Sequence, residues 1–355
     1  MDVLEGTLWR ALRYIHAPER AGSGRYVGCG WHAASVPEDG RPNRAALAAT
    51  LRAQDNVISR QQAFACGLTR AGLAYRIRPD GPWQRLLPGS YLAQTGPPAA
   101  AQKDMAALLY AGPGSVLTGP AALRGLGLAT ADSHRRDVLV PASRRPRSAA
   151  FVTIHRTTRM PQRVVRQGRR SYALPPRALA DTARAMTSLR EVRALIAGAL
   201  QQGDCPLRTL VVELHEGQVR DSALLRHVLA EAAGGIRSVA EAEFKDLIER
   251  AGLPLPMFNP QLFAADGTFI ASPDAWWPDA GVAVEVDSRQ WHLRPDDWEK
   301  TMRRHAAMSR HGILVLHFTP GQIRSDPATV IAALTDALKA GRARSPLPIH
   351  VRPAA

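Results

Sequence analysis

Pro273-Asp274-Ala275-Trp276-Trp277-Pro278-Asp279-Ala280-Gly281-Val282-Ala283-Val284-Glu285-Val286-Asp287 decides how the last third of this 355-residue chain is read. Pro278 to Gly281 has turn composition, and Val282 to Val286 is a short apolar run of the buried-strand kind. Glu285 inside that run needs a partner, because burying a lone carboxylate is costly. Asp274 and Glu285 are eleven positions apart, which predicts carboxylates on adjacent strands of one hairpin, converging on a single cation. Magnesium, or manganese in its place, takes hard oxygen ligands and keeps several waters. The two carboxylates and the backbone carbonyl of Val286 suit it. A metal held there would polarise a phosphodiester and lower the pKa of an attacking water.

The flanking sequence sets this pair in an α/β frame. Ser238 opens an amphipathic helix through Arg250, with Leu247, Ile248 and Ala251 as its inner stripe and Gly252 as its stop. Leu253-Pro254-Leu255-Pro256 then forces an extended segment that continues to Phe263. Ala265-Asp266-Gly267-Thr268 reads as a hairpin turn that brings Phe269 to Ala271 back, so that Asp274 ends the second strand. A helix over Pro295 to Arg310, a strand over Ile313 to Phe318 and a helix from about Pro327 to Leu338 complete the expectation.

Helix, three strands, helix, strand, helix is the αβββαβ order of the PD-(D/E)xK nuclease core. Ser238-x-x-Glu241, Pro273 to Pro278, Val284-Glu285-Val286-Asp287, His292 and Gly312-Ile313-Leu314-Val315-Leu316 together resemble the Vsr-like endonuclease domains over roughly one hundred residues. The resemblance implies metal-dependent cleavage of DNA. It makes Asp274 the principal ligand, Glu285 the second carboxylate and His292 the acid/base group, with Glu241 orienting a metal-bound water. Position 287, where the class has its catalytic lysine, is Asp287, which would instead supply a third metal oxygen. Ser288 and Thr301 stand where the related domains commonly have glycine and aspartate. Each residue also has a plainer reading. Glu241 completes a capping box with Ser238, Asp274 suits an Asx turn, and His292 sits beside Trp291 and Leu293 as a packed residue would. Trp276, Trp277, Trp291 and Trp298 read as core rings, and His305, His311 and His317 carry no metal-ligand spacing.

Composition points to a polyanion. The formal charge is +15 with a pI near 10.8, carried mainly by arginine, whose planar fork suits phosphate. Three scattered cysteines give neither a disulfide framework nor a zinc knuckle. No apolar run is long enough for a membrane span, and the first residues lack a signal-peptide pattern, so the expected compartment is the cytoplasm.

Along the chain, residues 1–43 read as a flexible leader broken by glycines. Residues 44–96 carry three short helices and two strands, Trp83 to Leu87 and Ser90 to Ala93, around Pro88-Gly89. That is winged helix-turn-helix order. Val57-Ile58-Ser59-Arg60-Gln61-Gln62-Ala63, Gly67-Leu68-Thr69 and Trp83 to Tyr91 resemble the N-terminal winged-helix domain of AbiEi-type antitoxins. The resemblance implies a DNA-binding helix over Thr69 to Arg78, with Arg70, Tyr75, Arg76 and Arg78 as contacts and Arg85 in the wing. Winged helices also dock proteins, which leaves a toxin-like or other protein partner open. Residues 97–233 form a basic middle domain; Arg135 to Arg170 holds eleven arginines against one carboxylate, Asp137, a footprint for phosphates or a solvated basic face. The nuclease-like domain spans 236–340 and a tail 341–355.

The expected fold class is therefore α+β and multidomain, with DNA as partner and no membrane. Two functional readings follow: a metal-dependent DNA endonuclease, and a non-catalytic DNA-binding regulator of antitoxin type with a nuclease-like scaffold.

Overall fold

A computed structural model describes residues 43–128, 133–286 and 295–353, with backbone alone for 295–301. The fold is α+β with several small sheets. It divides into two compact units, 43–187 with 202–225, and 188–201 with 226–353. The expected leader falls outside the described residues except for Asn43. Among the described residues, no helix is long and apolar enough to cross a membrane.

In the first unit, Asn43 caps α1 (Arg44–Ala53) by accepting from Ala46 N. Asp55 and Asn56 turn the chain with φ of 52° and 63° into β1 (Val57–Ser59). Ser59 and Gln62 form the capping box of α2 (Arg60–Ala65), and Thr69 caps α3 (Arg70–Arg76). β2 (Gln84–Leu87) and β3 (Ser90–Leu92) form a hairpin at Gly89, and β3 also pairs with β1, giving the order β1-β3-β2. The third strand, β1, was not expected. Ile58, Ala63, Leu68, Leu73, Trp83 and Tyr91 fill the space beneath. Gly81 is obligatory there, since a Cβ would lie 2.3 Å from the Arg76 carbonyl oxygen.

The same unit continues with α4 (Ala100–Ala111), β4 (Val116–Thr118), α5 (Gly119–Gly125), β5 (Arg136–Pro141), β6 (Val152–Thr157), β7 (Val164–Gln167), β8 (Arg170–Ala173) and α6 (Pro175–Arg184). The five strands lie in the order β6-β5-β4-β8-β7. Helix α7 (Leu189–Gln201) belongs to the second unit, and α8 (Leu207–Glu216) returns to the first. From Arg226 on, α9 (Ala223–Ala233) also groups with the second unit, so the boundary expected near 233–236 falls inside that unit.

The second unit continues through α10 (Val239–Arg250), β9 (Met257–Phe258), β10 (Gln261–Phe263), β11 (Phe269–Ala271), β12 (Ala275–Trp277), β13 (Val282–Val286), α11 (Pro295–Arg310), β14 (Leu314–Phe318), α12 (Pro320–Ser325), α13 (Pro327–Arg342) and β15 (His350–Arg352). Two corrections follow. First, Asp274 precedes its strand rather than ending one: β12 starts at Ala275 and lies in the sheet β14-β13-β12-β9, whereas β10 and β11 pair in a separate sheet with β15. Second, the expected tail supplies β15. Consecutive side chains of β12 serve opposite faces, as a pleated strand requires. Trp277 packs with Phe244, Leu247, Val284 and Leu334, and Trp276 with Leu262, Ile270, Met308 and Ile313.

Candidate functional site

The carboxylates expected to hold a metal stand at one end of the sheet. β12 and β13 are antiparallel with Ala275 opposite Val284, so continuing that register sets Asp274 opposite Glu285. The backbone holds Asp274 at both ends: Asn259 N donates to its carbonyl at 3.1 Å, and Val286 N donates to its Oδ2 at 2.7 Å. Glu285 is 2% exposed. The Arg304 guanidinium on α11 reaches it, Nη2 to Oε2, at 3.0 Å. On the neighbouring parallel strand, His317 is the register partner of Glu285. His317 Nε2 lies 3.0 Å from His305 Nδ1, with centroids 5.2 Å apart and planes 6° apart. Centroids so much farther apart than the nitrogens describe rings meeting edge to edge through a hydrogen bond, not face to face.

Metal binding is a poor fit to the described donors. The guanidinium of Arg304 stands on Glu285 where a cation would sit, and Asp274 Oδ2 serves a backbone amide. Asp287 and His292 lie outside the described residues, as does Ser288, and the side chain of Thr301 is not described. Glu241, expected to orient a metal-bound water, is placed otherwise. It is 6% exposed, and its Oε2 accepts from Arg237 N at 2.9 Å and from Asn259 Nδ2 at 2.6 Å. Ser238 Oγ accepts from Glu241 N. Glu241 therefore secures the start of α10 and holds Asn259, whose own amide positions Asp274. Arg304, His305, His317 and Asn259 had no signal in local sequence, because each enters through the docking of distant elements.

His227, Glu231 and Asp246 also bring ligand atoms within 4.8 Å of one another, the one such group among the described residues. Arg193 closes it. The guanidinium donates to Asp246 at 2.6 and 2.9 Å and to both Glu231 oxygens, with His227 Nε2 3.0 Å from Glu231 Oε1. With both carboxylates served by one buried arginine, the group is complete as an ion-pair clasp.

The five expected DNA contacts, three on α3, Arg78 just past its end and Arg85 on β2, separate into classes. Arg76 folds back on its own helix, donating to Gly72 O at 3.0 Å with its guanidinium over the Trp83 ring. Arg70, Tyr75, Arg78 and, on β2, Arg85 are exposed. Tyr75 stands 62% exposed, and the Arg78 guanidinium carbon lies 3.7 Å from its ring centre.

The arginine-rich stretch of the middle region does not form one surface. Arg136 is buried against Asp104, Arg159 pairs with Glu213 and Glu216, and Arg170 lies 3.3 Å from Asp55. Exposed Arg156 is in β6, whereas exposed Arg163 and Arg169 flank β7, and these strands are opposite edges of the five-stranded sheet. Charge on edge strands discourages pairing with other chains. Asp181 accepts from Thr118, Arg177 and Arg184.

Beside that group, His155 Nε2 meets Asp137 Oδ1 at 2.7 Å. The hydrogen bond to Asp137 raises the His155 pKa above the ordinary histidine value, burial opposes this, Asp137 and Asp181 charges add to it and Arg177 subtracts. A raised folded-state pKa means stability that is complete below the unfolded value, about 6.5, and is lost as pH rises through the folded value. The unit holding residues 43–187 is therefore expected to melt at lower temperature as pH is raised from about 6.5. His155→Ala should flatten that slope; a slope unchanged in the variant contradicts the assignment.

No family model matches the chain. Two Mycobacterium tuberculosis proteins, MT2308 and Rv2248, both named as uncharacterized, are each 27% identical to it over 179 residues, or 50% of this chain and 59% of theirs. The chain thus spans less than two thirds of the length of these relatives.

Proposed function

We propose that this chain is a DNA-binding protein of antitoxin type, in which residues 44–96 act as a winged helix-turn-helix and the C-terminal unit is a nuclease-like scaffold. The reading is carried by the exposed side chains of and just after α3, where Arg70 and Tyr75 project from a short capped helix and Arg78 follows its end, in the same small domain as the β2–β3 hairpin that carries Arg85. Residues 44–96 hold seven arginines against Asp55 and Asp80, a net charge of +5, which suits a phosphate backbone. Supporting the scaffold role, Glu285 is engaged by Arg304 and position 287 has no lysine.

A second reading, a Mg²⁺- or Mn²⁺-dependent endonuclease, is favoured by one observation: Asp274 and Glu285 face each other across adjacent strands. It requires Arg304 to leave Glu285. One experiment separates the two. Purified protein is incubated with supercoiled plasmid with and without each metal, and binding is followed in parallel by mobility shift at stepped salt. The scaffold reading expects binding that weakens with salt and no nicking under any metal. Metal-dependent nicking that disappears in both Asp274→Ala and Glu285→Ala would replace it with the nuclease reading, and absence of any shift would sink the DNA-binding role.

A further inference from the structure

We infer that Arg78, held in place by Tyr75, is the residue that selects a base, and that the base is guanine, read at O6 and N7 in the major groove. The inference rests on the DNA-binding reading above and asks which side chain carries sequence information. Ala71, Ala74 and Tyr75 are exposed at i, i+3 and i+4 on α3, and Arg78 is exposed two residues past the helix end at Arg76. The two alanines are short enough to let the helix approach a groove floor. Tyr75 is the long side chain on that face, and Arg78, just past the helix end, stacks on its ring.

The two differ from the other basic residues in being pre-arranged. Stacking of the Arg78 guanidinium on the Tyr75 ring, at 3.7 Å, fixes the plane of the fork. A long hydrogen bond, 3.4 Å, leads Nη1 toward the Tyr75 carbonyl. That leaves Nε and Nη2 on the outer edge, the pair of donors that matches two acceptors side by side. Guanine is the base that presents two adjacent acceptors in the major groove, and bidentate arginine contact with it is the commonest specific pairing. Among the described residues no carboxylate pairs with Arg78; its partners are the ring, carbonyl and hydroxyl of Tyr75. Arg70, exposed in the first turn of α3 and without an aromatic support, is suited instead to a phosphate.

The test is selection of binding sites from a randomised duplex pool, followed by affinity measurements on the selected site with each position varied. The proteins are the full chain and its Arg78→Ala, Arg78→Lys, Tyr75→Phe, Tyr75→Ala and Arg70→Ala variants, all at exposed positions. Wild type should select a site with a guanine at one position. Arg78→Ala and Arg78→Lys should lose that preference, about five- to hundredfold in affinity ratio. Tyr75→Phe should keep it, and Tyr75→Ala should weaken it. Arg70→Ala should lower affinity evenly across sequences and reduce the salt slope by about one. If Arg78→Ala behaves like Arg70→Ala and the guanine persists, the inference is overturned while DNA binding stands. If wild type binds no duplex, or binds single-stranded RNA or a protein instead, both readings fall together.

Discussion

Replacing Arg193 by leucine is expected to destabilise the second unit by about 3–5 kcal/mol, the usual consequence of removing one partner from a buried charge pair. Arg193 is 5% exposed and Glu231 6%. Its three guanidinium nitrogens serve two carboxylates contributed by different helices, α9 and α10. Without the guanidinium, buried Glu231 and half-buried Asp246 face each other with no arginine between them. A triple replacement of Arg193, Glu231 and Asp246 by apolar residues should recover much of the loss, because a buried ion pair exchanged whole for packed side chains is close to neutral. Hydrogen exchange read by peptide localises the effect. Protection should drop in peptides from 188–201 and 239–286 and hold in those from 84–173. A loss spread evenly over both sets, or equal stability of the single and triple variants, would contradict the clasp.

That clasp also marks the limit of what local sequence discloses. Arg193, Glu231 and Asp246 lie on three helices, and nothing within a helical period announces their meeting. Features settled within a few residues were legible: the turn at Gly281 and the apolar run of β13 stand where expected, and the Ser59–Gln62 box and the Thr69 cap are equally local. Asp274 was misplaced by half a strand. A segment from Phe269 to Asp274 reads as one strand by apolarity, but Pro273 lacks an amide for the ladder. The chain instead leaves one sheet at Ala271 and enters another at Ala275. Arg304 escaped notice because the register of α11 against β13 is a tertiary fact. The arginines between Arg135 and Arg170 misled in the opposite direction: contiguous in sequence, they divide between a buried ion pair and two distant sheet edges.

Trp277→Ala is expected to cost about 3–5 kcal/mol, the range for truncating a buried aromatic, and to act on one side of the sheet. The ring is 1% exposed, and its Nε1 donates to the Pro254 carbonyl at 2.7 Å. Truncation removes the ring from among Phe244, Leu247, Val284 and Leu334, and leaves the Pro254 oxygen without that donor. Trp277→Phe should cost less, since it keeps most of the volume and loses the hydrogen bond. Trp276→Ala is the matched comparison, equally buried and facing the other way, against Leu262, Ile270, Met308 and Ile313. Hydrogen exchange should separate the two. Trp277→Ala should loosen α10 and α13, and Trp276→Ala should loosen β10, β11 and the C-terminal end of α11. Trp276 also shares the face of the sheet to which Asp274 and Glu285 belong by alternation. Displacing its ring should therefore disturb the Arg304 contact while leaving the helices on the opposite face protected. If both alanine variants loosen the same peptides, the division of this sheet into two independently packed faces is wrong, and with it the placement of the carboxylates on the α11 side.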